Sequence, residues 1–225
     1  SRLSSAKDVI VRDDIGYVAD AIHGLRILDL ADPSRPKLRG SWVSPGGAMA
    51  LDLAGSLVYV AADESGLQIV DISNAASPRQ VGAYKAPAAT SLDVSVDGGL
   101  ACIVEGGLYI DGEYTTGGFS IVDVSDPASP TLQCHLERFS YAAGVFVRNR
   151  LAYVASMVDR LSILDLANPS SPTTRGTMAV GEPEGLALSG DLAYVADDLA
   201  GLLVVDVGNP DAPKIVSTLE RTIGP

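Results

Sequence analysis

The chain has 225 residues, with 28 Asp and Glu against 16 Lys and Arg, for a formal charge of -12. That balance argues against a nucleic-acid binder or a surface held on anionic lipid, and 47% apolar residues exclude a disordered chain. Two cysteines exclude a disulfide scaffold, and no apolar run is long enough for membrane insertion as a helix.

In chain order, the first predicted strand is Asp8 to Val11, followed by one carrying Tyr17-Val18-Ala19. A third runs from Gly24 to Asp29, and a fourth follows a turn that ends at Pro36. The pattern then returns as Ala50 to Leu53, Leu57 to Ala61, Leu67 to Asp71 and, past Pro78, Gln80 to Tyr84. The third copy has Leu92 to Val96, Cys102 in place of the tyrosine, an insertion before Gly118, then Asp123 and Pro130. The fourth has Tyr153, Arg160 in place of the glycine, Asp165 and Pro172. The fifth has Tyr194, Gly201, Asp206, Pro213 and a last strand from Lys214 to Leu219. Short apolar or alternating runs between turn signals read as strands, and no window reads as a helix.

A four-stranded unit of this size cannot bury its faces alone, so five of them must pack on one another. The expected fold is all-β: one five-bladed β-propeller domain over residues 1–225, with four antiparallel strands per blade. Blades are expected near residues 7–42, 48–84, 91–137, 143–178 and 184–219. Because the repeats start on a first strand and end on a fourth, closure by an exchanged strand is not expected. The first and last blades are therefore expected to meet by side-chain packing, with edge-to-edge dimerisation as a further possibility.

The segments Gly24-Leu-Arg-Ile-Leu-Asp-Leu, Gly66-Leu-Gln-Ile-Val-Asp-Ile-Ser-Asn and Gly118-Phe-Ser-Ile-Val-Asp-Val-Ser-Asp-Pro resemble the LVIVD repeat. This is a β-propeller repeat of bacterial and archaeal proteins, many of them surface or secreted. The resemblance covers residues 7–219. It implies the fold and an extracellular, periplasmic or cell-surface address, and it implies no single activity.

The aspartates that close each third strand (Asp29, Asp71, Asp123, Asp165 and Asp206) are expected to cap turns rather than to catalyse. The tyrosines should pack between blades. Cys102 and Cys134 lie two strands apart, too far for a disulfide.

Functional residues are expected on the loops of one face, around the mouth of the axis. Those loops carry Asp20, His23, Asp63, Glu64, Glu105, Asp159, Arg160 and Asp197, with Arg138, Tyr141, Glu182 and Glu184 on the adjoining set. The insertion adds Tyr109, Asp111, Glu113 and Tyr114, the composition of a recognition loop. His135, on an outermost strand, reads as a surface residue. Two functions follow. One is a binding or scaffold module, monomeric or weakly dimeric, that presents this acidic face to a protein partner or a small polar or cationic ligand. Tyr109, Tyr114, Arg138, Tyr141 and Arg160 are then the contact residues. The other is a lyase, isomerase or hydrolase using His23, Glu64, Glu105, Glu182 or Glu184 as acid or base. Hard oxygen donors at Asp20, Asp63, Asp111, Asp159 and Asp197 would favour calcium or magnesium, and no organic cofactor is expected.

Overall fold

A computed structural model describes residues 3–85, 90–106, 117–139, 142–158 and 160–220, and the backbone of 109–110 and 113–114. Five antiparallel sheets of four strands stand around one axis. Blade 1 holds β1 (Ala6–Arg12), β2 (Ile15–Asp20), β3 (Gly24–Asp29) and β4 (Lys37–Trp42). Blade 2 holds β5 (Ala50–Ala54), β6 (Leu57–Ala61), β7 (Leu67–Asp71) and β8 (Arg79–Tyr84). Blade 3 holds β9 (Thr90–Asp97) and β10 (Leu100–Gly106). The small ladder of β11 (Tyr109–Ile110) and β12 (Glu113–Tyr114) follows, then β13 (Gly118–Asp123) and β14 (Thr131–Leu136). Blade 4 holds β15 (Ala142–Arg148), β16 (Leu151–Ser156), β17 (Arg160–Asp165) and β18 (Thr173–Met178). Blade 5 holds β19 (Pro183–Ser189), β20 (Leu192–Asp197), β21 (Gly201–Asp206) and β22 (Lys214–Leu219). Neighbours in each sheet are neighbours in sequence, except that β10 pairs with β13 across the separate ladder of β11 and β12. No helix is long and apolar enough to cross a membrane.

Burial explains the strand compositions. The second and third strands of blades 2 to 4 are buried on both faces and read as continuous Val, Ile, Leu and Ala runs. The fourth strands of blades 1, 2 and 4 are more exposed and more polar. A register shift recurs between each third and fourth strand, at Ile27/Leu28, Ile69/Val70, Ile121/Val122, Ile163/Leu164 and Val204/Val205. A bulge at that position bends the outer strand and increases its twist. The aspartate beyond it accepts the N–H two residues on, at 2.8–3.0 Å: Ala31 onto Asp29, Ser73 onto Asp71, Ser125 onto Asp123, Ala167 onto Asp165 and Gly208 onto Asp206. These are the expected turn caps. Both cysteines are free thiols.

Four buried apolar clusters join blade 1 to 2, 2 to 3, 3 to 4 and 4 to 5. Among the described residues no such cluster joins blade 5 to blade 1, so the expected packing of first blade on last is not found. Val9, Val11, Leu202 and Leu219 stay exposed there.

Candidate functional site

The innermost strands β1, β5, β9, β15 and β19 converge on a cavity of about 310 Å³ at the axis. Its polar lining comes from Lys7, Asp8, Asp93 and Glu184, with Met49 and Leu92 beside them. Three carboxylates against one ammonium leave the space net negative.

Inner-strand acceptors also tie blade 1 to 2, 2 to 3 and 3 to 4. Asp8 Oδ2 accepts Leu51 N–H at 2.9 Å, and Asp93 Oδ2 accepts Val145 N–H at 2.8 Å. Asp52 Oδ2 accepts Val96 N–H at 2.7 Å, and Ser95 Oγ accepts Val147 N–H at 3.0 Å. Burial pushes the Asp93 carboxyl up to about 6 against two backbone N–H bonds, and the charges of Asp8 and Asp52 add to the rise. Asp52 is raised for the same leading reason. A cation entering the cavity would relieve this repulsion.

The rim is built differently. Asp20 is fully buried at the end of β2 and accepts N–H bonds from Ser4 (2.8 Å), Ser5 (3.4 Å), Ile22 (2.9 Å) and His23 (3.0 Å). Burial alone would raise this carboxyl, but the four bonds overcome it and hold it well below the usual range. His23 Nδ1 stands 3.2 Å from the same Oδ1. Asp197 repeats the arrangement in blade 5, accepting Gly181 (2.6 Å), Leu199 (3.0 Å) and Ala200 (2.8 Å), and is likewise lowered. Both carboxylates hold turns together, so their oxygens are already engaged by the backbone. Asp63 is raised by burial and by its neighbour Glu64, which is itself exposed. Glu182 and Glu184 are both exposed, and Glu184 lines the axial cavity. Among the described residues no group of three or more His, Cys, Asp or Glu is arranged to hold a metal ion. Asp111, Tyr141 and Asp159, and the side chains of Tyr109, Glu113 and Tyr114, lie outside the described residues. Arg138 is drawn sideways, with its guanidinium 4.5 Å from the Phe139 ring centroid and Nη2 donating to Thr174. Arg160 occupies the repeat's glycine position at φ 68°, where Gly24, Gly66 and Gly201 have φ 77°, 73° and 87°.

Blade 3 departs from its siblings. By register, Glu105 is the counterpart of Asp20 and Asp197: it pairs with Gly118 as Asp20 pairs with Gly24 and Asp197 with Gly201. It is therefore a buried strand residue, not the loop residue its sequence suggests. The insertion replaces the tight turn that such a carboxylate would cap. Glu105 Oε2 lies 3.6 Å from His135 Nδ1, and Ser120 Oγ lies 3.1 Å from the same nitrogen. Tyr84 of blade 2 joins them, raised by burial and then by the charge of Glu105. His135 is thus partly buried in a polar cluster, which corrects its reading as a surface residue. Ser120 and Glu105 face one ring nitrogen rather than opposite ones, so the cluster is not a nucleophile–base–carboxylate relay.

A model of the LVIVD repeat matches residues 4–43, 45–86, 114–136, 140–180 and 180–220. No curated protein matches the chain. Among solved structures, the computationally designed Ika8 protein is similar at 9% identity and TM-score 0.71, over 96% of this chain and 62% of that one. A functionally unknown protein from Desulfotomaculum acetoxidans is similar at 13% and 0.66, over 97% and 67%. A chain of the nidogen/laminin complex is similar at 12% and 0.66, over 96% and 80%. At these identities the likeness is one of fold. The chain spans less than two thirds of the length of the designed protein.

Proposed function

The chain belongs to the LVIVD-repeat family of β-propellers, and from that premise we propose that it is a binding module with no chemistry of its own, holding a small cationic ligand on the propeller axis. The observation that carries this reading is the axial cavity, to which all five blades contribute and in which Asp8, Asp93 and Glu184 outnumber Lys7. A cavity of about 310 Å³ suits a small molecule and is too narrow for a folded partner. Asp93 gains most from such a ligand, because a neighbouring positive charge offsets the cost of ionising it there.

The test is a thermal-shift series at constant ionic strength with methylammonium, a neutral alcohol of the same size, and acetate. The ammonium ion raises Tm, the other two do not, and Asp93→Asn together with Glu184→Gln removes the response. Equal responses to all three probes, or none to the ammonium ion, would reject the reading.

The enzyme alternative has one observation in its favour, the Glu105–His135–Ser120–Tyr84 cluster beside the insertion. It places a buried carboxylate and an imidazole together at the rim of blade 3. Turnover of a small-molecule library that His135→Ala abolishes would support it.

A further inference from the structure

The axial cavity takes neighbouring residues from each inner strand, which a regular strand cannot supply because its side chains alternate. The reason is a β-bulge that recurs in blades 1, 3, 4 and 5. The pairing skips Lys7 between Ala6 and Asp8, Leu92 between Ser91 and Asp93, Ala143 between Ala142 and Gly144, and Glu184 between Pro183 and Gly185. A bulge re-aims the side chain it carries. The four bulged residues therefore line the cavity together with the residues that follow them, Asp8, Asp93, Gly144 and Gly185.

The carboxylates come from alternate blades: Asp8 from blade 1, Asp93 from blade 3 and Glu184 from blade 5. Against the single ammonium of Lys7 they leave two negative charges in excess. Met49, Leu92 and Ala143, from blades 2 to 4, add an apolar wall. By register Gly144 and Gly185 hold the position of Asp8 and Asp93. Neither has a positive φ, and a Cβ on Gly185 would meet nothing nearer than Ala196 Cβ at 4.0 Å. Their missing side chains leave room in the cavity instead of serving the backbone.

We propose that the axial ligand is a linear aliphatic diamine, with its two ammonium groups on carboxylates of different blades and its methylene chain along the apolar wall. This rests on the reading that the axis holds a cation. Two positive charges match the excess. A divalent metal ion has the same charge, but among the described residues no three acidic groups converge to hold one. The oxygens are also shared with the backbone. Asp8 accepts Val9 N–H at 2.7 Å and Leu51 N–H at 2.9 Å, and Asp93 accepts Val94 N–H at 2.9 Å and Val145 N–H at 2.8 Å. The acceptor capacity that remains suits single ammonium N–H groups better than a metal that needs several oxygens at once. Among the described residues no aromatic side chain lines the cavity, which disfavours a quaternary ammonium ion.

Isothermal titration calorimetry at neutral pH and constant ionic strength tests the proposal, with 1,4-diaminobutane, butylammonium, methylammonium, tetramethylammonium and magnesium as probes. The diamine is expected to bind about tenfold tighter than butylammonium, because its second charge adds a charge-assisted hydrogen bond. Tetramethylammonium and magnesium bind more weakly than butylammonium. Glu184→Gln, at an exposed side chain, and Asp93→Asn each remove most of the diamine's advantage. Gly185→Leu fills the space without changing charge, and weakens both four-carbon probes while sparing methylammonium. Circular dichroism establishes that each variant is folded, and Glu184→Gln alone carries the comparison should Asp93→Asn unfold the chain. Equal binding of diamine and butylammonium, tighter binding of tetramethylammonium or magnesium, or a diamine advantage that survives Glu184→Gln would each overturn the diamine and leave the cationic axis standing. No binding of any amine, methylammonium included, would reject the cationic axis as well.

Discussion

Asp20 at the rim and Asp93 on the axis are both carboxylates bonded to backbone N–H groups, and their acidities move in opposite directions. Burial raises each. Asp20 has four N–H donors and a carboxylate-free surrounding turn, so hydrogen bonding wins and the carboxyl falls. Asp93 has two donors and two negative neighbours, so burial wins and the carboxyl rises to about 6. Asp197 behaves as Asp20 does, and Asp52 as Asp93 does. The balance between donor count and neighbouring charge sets the direction in each case, although both kinds of carboxylate tie backbone together.

Removing a rim cap has the largest expected effect. Asp20→Ala leaves several turn N–H groups without an acceptor and costs about 2 kcal/mol, measured by urea denaturation. An unchanged midpoint would mean that the rim turns hold themselves. The same depressed carboxyls contribute stability that is present above pH 3.8 and lost as pH falls below it.

The axial carboxyl has the opposite sign. A group raised in the folded state contributes stability below its unfolded value, and that contribution is lost as pH rises through the folded value. Asp93 therefore lowers Tm as pH rises from 3.8 through about 6. Asp93→Asn reduces this slope, to which Asp52 and Asp63 also contribute, and leaves unchanged the acid limb that Asp20, Asp197 and the turn-capping Asp71, Asp123 and Asp206 share. A wild-type profile flat between those values would break the comparison.

A smaller effect concerns the rim turns themselves. Arg160 sits where three sibling blades use glycine at positive φ. Arg160→Gly is expected to stabilise the chain by about 1 kcal/mol, less the entropy a glycine costs in the unfolded state. The smallest effect is that of divalent ions. Chelation followed by calcium or magnesium leaves Tm unchanged, because Asp20 and Asp197 are engaged by backbone N–H groups. A chelation-sensitive Tm restored by calcium would show that the rim does hold an ion.

The fold was legible because five copies carry the same marks: Tyr17, Gly24, Asp29 and Pro36 and their counterparts fixed strands, turns and order. The turn-capping aspartates were legible for the same reason. The axial residues were not. Asp8 and Asp93 lie inside strands, where an aspartate between apolar neighbours reads as a solvent-facing residue. Only the convergence of five inner strands gives them a common cavity. Asp20 and Asp197 looked available because sequence shows a loop acid and not the N–H groups that surround it. Glu105 looked like the first residue of the insertion, and its pairing with Gly118 is what puts it inside the sheet. The open faces of blades 1 and 5 were hidden by their own regularity, since their residues match those of blades that do have neighbours.

The central proposal, that the acidic axis holds a cationic ligand, is tested most directly by following the Asp93 side-chain carboxyl by carbon NMR through a pH titration, with and without methylammonium. The account predicts a midpoint near 6 that moves down when the ammonium ion is added. A midpoint in the ordinary aspartate range that ignores the ammonium ion would contradict it.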